Sequence, residues 1–224
     1  MSFPFLPRAS VVLGLLTLSA CGSSPTPPTP KGEVVQVTDS EYGVNFEYTT
    51  SRDFSYALAA LPGYTHSAAE VHLLTLVNEE RVKGGVCPVR GGGQRTYGPA
   101  RPLLFEGHLH RAASDYAREL AESGSTVLAH RSALTGLVPS QRVVGAGYHP
   151  LPPKGAALEF NESLAAEWLK SDPAGVVAAW KASPEHCGAL YEPMLSFSHG
   201  AVAWVETQVH GQPVSYWVLN TAGY

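Results

Sequence analysis

Residues 107–124 read GHLHRAASDYARELAESG and form the most strongly patterned stretch of the chain. Apolar residues recur there at the i, i+3, i+4 and i+7 spacing that lines one face of an α-helix, namely at Leu109, Ala112, Ala113, Tyr116, Ala117, Leu120 and Ala121. Gly124 follows the last of them and suits a helix C-terminus. The pattern therefore predicts a helix that ends at Gly124 and buries one face.

Another helix is predicted before this one. Ser67 and Glu70 have the spacing of a capping box, and apolar residues follow at helical intervals to about Val82. Residues 84–98 are rich in glycine and are predicted to form a loop. The three successive glycines at 91–93 lack the lysine and hydroxyl residue of a phosphate-binding loop, so we interpret them as a flexible connection.

Two shorter helices are predicted later in the chain. Asn161 is a plausible N-cap for a short helix through Leu169. Asp172 followed by Pro173 has the chemistry of an N-cap and a first helical turn, which predicts a helix through Ala182.

The C-terminal part alternates apolar and polar residues, which is typical of β-strands. His199 to Val209 and Val214 to Asn220 are joined by Gly211-Gln212-Pro213, so they predict an antiparallel hairpin. Glu33 to Tyr48 alternates weakly and could supply an edge strand or two. Helices followed by a late hairpin indicate an α+β protein with a mainly antiparallel sheet flanked by helices.

The N-terminus has the layout of a signal peptide, with Arg8 before an uncharged, mostly apolar run from Ala9 to Ala20. That run of about 12 residues is shorter than the roughly 20 that a membrane-spanning helix needs. Leu18-Ser19-Ala20-Cys21 resembles the bacterial lipobox, which implies that residues 1–20 are removed and Cys21 is acylated. The alternative is an ordinary secretory signal, which would leave Cys21 as an unpaired thiol.

Residues 21–31 contain the acylated cysteine and a tether of proline, serine and threonine that cannot bury apolar surface. Residues 32–66 form an N-terminal extension, and residues 67–224 form the main domain. Because Arg8 is the one charge in the signal, its removal changes the formal net charge from −4 to −5. A mildly acidic chain without basic runs gives no reason to expect nucleic-acid binding.

Cys87 and Cys187 remain once Cys21 is set aside. In an oxidising compartment an isolated pair of cysteines is most simply a disulfide. Two free buried thiols are the alternative.

Four segments in order resemble the CAP superfamily in its bacterial secreted form. Residues 73–81 (LLTLVNEER) are similar to its opening helix with Asn-x-x-Arg, and residues 102–117 to the Ala-Ala helix that follows. Residues 128–130 (LAH), continuing through Gly136, Arg142 and Gly147-Tyr148, are similar to the segment with the first family histidine. Residues 179–187 (AWKASPEHC) are similar to the Trp-x-x-Ser-Pro-Gly-His signature.

The resemblance implies an α-β-α sandwich over residues 67–224, and the two cysteines fit a bacterial subgroup with the same disulfide. The sequence also departs from the family. Asn161-Glu162-Ser163 stands where Gly-Glu-Asn is usual, and Glu185 replaces the glycine of Ser-Pro-Gly-His. Residues 181–183 occupy the region where many animal members carry a second glutamate, so the four-residue cavity is only partly reproduced.

The resemblance further implies that His130, Glu162 and His186 converge in one cleft. Two imidazoles and a carboxylate could hold a divalent metal such as zinc, with His130 and His186 as the metal ligands, or could simply hydrogen-bond to each other. No HExxH or Cys/His ligand pair supports a metal independently. A functional cleft and a structural network that holds the loops are therefore both open.

Other candidate chemistry is weaker. His108 and His110 are two residues apart and point to different faces of a helix, so we interpret them as surface histidines. The sequence has no serine in a G-x-S-x-G elbow, and a disulfide explains the cysteines better than a nucleophile does. Nothing in the sequence specifies a catalytic triad.

These features favour an exported protein, lipid-anchored to a bacterial membrane through Cys21 and facing the periplasm or the cell exterior. The first hypothesis for its function is a non-enzymatic module that binds a lipid-like or cell-envelope ligand in the cleft. The alternative is a metal-assisted or general acid/base hydrolase acting on peptide or cell-wall substrates, with the histidines as ligands or proton carriers. A purely structural envelope protein is a third hypothesis.

Overall fold

The computed structural model describes residues 32–50, 53–125, 127–169, 172–191 and 197–224. The predicted signal peptide, the predicted acylation site Cys21 and the predicted tether lie outside these residues. No helix in the described ranges is both long and apolar enough to cross a membrane.

The elements are, in chain order, β1 (Val34–Asp39), β2 (Val44–Thr49), α1 (Ala68–Lys83), β3 (Gly85–Pro88), β4 (Gln94–Tyr97), β5 (Leu104–Phe105), α2 (Gly107–Ser123), α3 (Pro139–Gly145), β6 (Glu159–Trp168), α4 (Pro173–Ala182), α5 (Pro184–Tyr191), β7 (Phe197–Val209) and β8 (Gln212–Gly223). The main sheet has the order β5-β7-β8-β6. Its β5–β7 pair is parallel and its other pairs are antiparallel. The predicted α+β class is confirmed.

Helices cover both faces of this sheet, because successive side chains of a strand point to opposite faces. Trp217 and Leu219 of β8 belong to one core with α1, α4 and α5. Tyr216 and Val218 belong to another core with α2. The result is a layer of helices on each side of a mainly antiparallel sheet.

The predicted helix ends are confirmed. Ser67 and Glu70 form the capping box of α1. Gly124 ends α2 in the left-handed conformation with φ 58°, which glycine adopts at little cost. Asp172 caps α4 and accepts from the backbone N–H of Ala174. The predicted C-terminal hairpin is confirmed as β7 and β8.

Two local predictions are wrong. The segment expected to be a helix from Asn161 through Leu169 is instead strand β6, which pairs with β8 along its whole length from Glu159↔Gly223 to Trp168↔Val214. The glycine-rich segment 84–98 is the β3–β4 hairpin, not a loop. In both cases pairing with a partner strand outweighs the local signal.

The N-terminal extension contributes two strands, as predicted, but β1 and β2 form a separate hairpin instead of an edge of the main sheet. Val37 and Tyr48 of this hairpin pack with Val144 of α3, and Phe160 of β6 packs against them. Residues 53–66, which we call the strap, then lead into α1. The predicted disulfide is confirmed, since Cys87 of β3 is bonded to Cys187 of α5.

Candidate functional site

The three predicted cleft residues come from different elements at the β6 edge of the main sheet. Glu162 lies on β6, His130 lies in the loop between α2 and α3, and His186 lies in the first turn of α5. The His130 loop is held by the hydroxyl of Tyr116, which donates to the carbonyl of Ala129. Its position is therefore fixed from α2.

The structure brings His130 into contact with each of the other two residues. Its Nδ1 atom lies 3.0 Å from Oε1 of Glu162, and its ring centroid lies 6.2 Å from that of His186, edge to face. The ring of Tyr42, from the turn between β1 and β2, lies 6.4 Å from His130. An imidazole held at Nδ1 by a carboxylate has a fixed orientation and leaves Nε2 for another partner.

Arg142 of α3 completes the arrangement, which we call the His130 cluster (His130, Arg142, Glu162 and His186). One guanidinium nitrogen lies 2.6 Å from Oε2 of Glu162, and another donates to the carbonyl of His130 at 2.9 Å. The guanidinium also lies 3.6 Å from the ring centroid of Tyr116, a cation–π contact. The sequence segment contained Arg142, but its role as the counter-charge of Glu162 was missed.

Both oxygens of the Glu162 carboxylate have protein partners. Asn220 lies directly opposite on β8. With its amide nitrogen facing the carboxylate, Asn220 donates to Glu162 Oε2 at 3.2 Å, and its oxygen accepts from the backbone N–H of Ala113 at 3.2 Å. The pairing register of two strands therefore supplies a further partner for this buried acid.

The side chains of the His130 cluster differ in how far they are exposed to solvent. Those of Glu162 and Arg142 are 0 % and 9 % exposed, whereas that of His130 is 29 % exposed. Burial lowers the pKa of His186, as does the neighbouring His130, while Glu185 opposes them. His186 is therefore neutral at pH 7, and the imidazoles are the groups that a ligand can reach.

Glu185, the sequence neighbour of His186, is paired with an arginine outside the His130 cluster. Its carboxylate binds Nε of Arg90 at 2.5 Å, and this contact lowers the pKa of Glu185 to about 2. Ser183 donates to Glu185 at 3.0 Å and accepts from the backbone N–H of His186. Glu185 and Ser183 thus hold the start of α5.

The His130 cluster does not fit a three-ligand zinc site. Among the described residues, no group of three or more His, Cys, Asp or Glu side chains has the spacing to hold a metal ion. Both oxygens of Glu162 are taken by His130, Arg142 and Asn220. A structural zinc site needs four ligands and a catalytic one needs three, so the imidazole pair alone is too few.

The prediction that His108 and His110 lie on the surface is wrong. His110 is completely buried, and His108 is partly buried with Nδ1 2.7 Å from Oε1 of Glu106. The helical pattern contained a signal for His110, because it lies three and seven residues before the buried Ala113 and Ala117.

Two concave spaces differ greatly in size. The cavity beside Glu162, next to Tyr42, has a volume of about 20 Å³, which is about enough for one water molecule. The second, which we call the groove, has a volume of about 460 Å³ and lies between α1 and α4. It is lined by Leu76, Glu80, Val86, Ala174, Val177, Ala178, Lys181 and Ala182.

Comparisons with known proteins do not identify the chain. No protein-family model matches it, and no curated protein is significantly similar to it.

Proposed function

We propose that the protein is an exported, lipid-anchored member of the CAP superfamily that binds a lipid-like ligand without catalysing a reaction. The observation that carries this proposal is the groove between α1 and α4. Its volume of about 460 Å³ lies in the range of small-molecule sites, about 300–1,000 Å³. The cavity beside Glu162 is far too small for such a ligand, so we assign the ligand to the groove instead.

The lining of the groove favours an amphiphile with a polar head. Most of the lining side chains are aliphatic. Lys181 supplies charge, and its ammonium lies 2.5 Å from Oε2 of Glu80. The hydrogen bond to Glu80 raises the pKa of Lys181, so Lys181 is cationic at neutral pH. An ammonium has three donors, and its side chain is 40 % exposed, so it can also bind a ligand carboxylate.

The hydrogen bonds of Glu162 to other protein groups support binding over catalysis. A general base needs a lone pair directed at the substrate, and both carboxylate oxygens of Glu162 face protein donors. A hydrolase is the second candidate. It is favoured by the contact of His130 Nδ1 with Glu162, which orients the imidazole as in a catalytic dyad. In that case His130, not Glu162, would be the base.

A titration with a fluorescent long-chain fatty acid, kept below its critical micelle concentration, tests the proposal. Ala178 lines the groove, and Ala179 is its exposed neighbour outside the lining. We expect Ala178→Trp to fill the groove and to weaken binding by about tenfold or more, and the matched Ala179→Trp to change it by less than about twofold.

His130→Ala should leave fatty-acid binding unchanged. Absence of binding by the wild-type protein, or equal losses in the two tryptophan variants, would contradict the proposal. A peptidase or wall-hydrolase activity that disappears in folded His130→Ala would favour the second candidate.

A further inference from the structure

The strap is held on the main domain by hydrogen bonds and by stacked aromatic rings. The backbone N–H of Ala57 donates to Oε1 of Glu106 at 3.0 Å, and the backbone N–H of Gly107 donates to the carbonyl of Ala57 at 2.7 Å. Tyr56 stacks on His199 with ring centroids 4.1 Å apart. Phe54 and Tyr56 of the strap also pack against the core that contains Leu109 and Tyr148, so opening of the strap breaks hydrogen bonds and aromatic contacts together.

At its C-terminal end, the strap places the partly buried His66 against the fully buried His110. The ring of His66 stacks on Phe105 of β5 at 4.2 Å, and its centroid lies 5.1 Å from that of His110 on α2. Within the described part of the chain, Nε2 of His66 and both ring nitrogens of His110 are buried without a hydrogen-bond partner. Buried polar groups are normally paired. Nε2 of His110 has the Glu70 carboxylate 3.6 Å away, so Nε2 of His66 and Nδ1 of His110 are the two nitrogens that require an explanation.

The charged groups around the pair are few. From α1, Oε2 of Glu70 lies 3.6 Å from Nε2 of His110, and the same carboxylate accepts from the backbone N–H groups of Ser67 and Trp204. From the strap, the Tyr64 ring lies 6.4 Å from His110. Tyr64 in turn contacts Asp115 and Arg111 of α2. β5 contributes only the uncharged Phe105.

Burial disfavours a positive charge on either ring, and the Glu70 carboxylate, 3.6 Å from His110, offsets this mainly for His110. Glu70 can balance one imidazolium, but two imidazolium rings 5.1 Å apart in a buried place would repel each other strongly. Burial lowers the pKa of His66, and so does the neighbouring His110, while Glu70 opposes them. The closed strap therefore binds a proton at His66 less readily than the solvated side chain does.

We propose that His66 and His110 form an acid-operated latch that holds the strap at neutral pH and releases it when His66 is protonated. The sign follows from proton linkage. A histidine whose pKa is lowered in the closed state stabilises that state above its solvated pKa of about 6.5, and this contribution is lost as the pH falls below that value. His199, beneath Tyr56, acts in the same direction because burial lowers its pKa.

Hydrogen exchange of the Ala57 and Gly107 amides, read by NMR, measures opening of the strap directly. After correction for the intrinsic exchange rate, we expect their protection to fall about three- to tenfold between about pH 7.5 and about pH 5.5 in the wild-type protein. This window lies above the range in which Glu70 titrates, because His110 and backbone hydrogen bonds outweigh burial and lower the pKa of Glu70.

His66→Phe keeps a ring to stack on Phe105 but cannot be protonated, so it should remove at least half of that pH effect on a logarithmic scale. His72→Phe is the matched control, since His72 is an exposed histidine on α1, and it should behave as the wild type does. An undiminished pH effect in His66→Phe would overturn the proposal. If that variant does not fold, the titration of His66 in the wild-type protein decides, because a pKa at or above about 6.5 is incompatible with the latch.

Discussion

At the scale of single residues, Arg142 supports the His130 cluster more than any residue predicted for it. It neutralises a carboxylate that has no exposed surface and holds the carbonyl of His130. Removing one partner of a buried ion pair leaves an uncompensated charge, which costs about 3–5 kcal/mol. We therefore expect Arg142→Met to lower the free energy of unfolding in urea by about that amount.

Arg118→Met is the matched control, because Arg118 pairs with Asp115 at 3.0 Å with both side chains about half exposed. Its effect should stay below about 1 kcal/mol. Adding Glu162→Gln to Arg142→Met should restore part of the lost stability, since the unpaired charge is then absent. An effect of Arg142→Met as small as that of the control would show that Glu162 does not depend on this arginine.

Part of the His130 cluster could be predicted from the sequence, because the family resemblance rests on segments in a fixed order. The rest depends on which elements meet in three dimensions. The convergence of His130, Glu162 and His186 followed from the family resemblance. The part played by Arg142 depends on where α3 crosses β6, and no local pattern encodes that crossing. His110 was misassigned because residue type was weighed above helical position, although its spacing from Ala113 placed it on the buried face.

At the scale of elements, Glu106 is an N-cap with unusually many partners. Its carboxylate accepts from the backbone N–H groups of His108 and Leu109 at the start of α2 and from that of Ala57 in the strap. Glu106 is fully buried, so its loss leaves several buried donors unpaired. We expect Glu106→Ala to cost about 3 kcal/mol of unfolding free energy, measured by thermal and urea unfolding.

Asp172→Ala provides the comparison, because Asp172 caps α4 by accepting from Ala174 at 3.2 Å at a partly exposed position. A cap of this kind contributes about 1 kcal/mol. Equal costs for the two variants would mean that the strap contact and the burial of Glu106 add nothing to its capping role.

A helix could be predicted from the sequence where an apolar face or a capping residue determines it. The capping box of α1 and the apolar stripe of α2 are local, and both were identified. Strand β6 was not, because Leu164, Ala165, Ala166 and Glu167 are good helix formers in isolation. That segment is a strand because β8 offers it a partner for every residue from Glu159 to Trp168, which is information from a segment about 50 residues away.

At the scale of the whole molecule, the disulfide links the two parts of the chain that build the α5 side of the protein. Cys87 and Cys187 are 100 residues apart in sequence, and both are almost fully buried. Chain-entropy estimates give up to about 4–5 kcal/mol for a loop of that length. The bond also fixes α5 at the residue after His186. It therefore restrains the position of His186 in the His130 cluster.

We therefore expect Cys87→Ala/Cys187→Ala to lower the free energy of unfolding by about 4 kcal/mol and to raise hydrogen exchange in α5 before the sheet opens. Cys21→Ser lies outside this bond and should leave unfolding unchanged. Reduction of the wild-type protein should reproduce the double variant. If the double variant unfolds within about 1 kcal/mol of the wild type while α5 stays protected, the buried contacts of Leu190 and Tyr191 hold α5 without the disulfide.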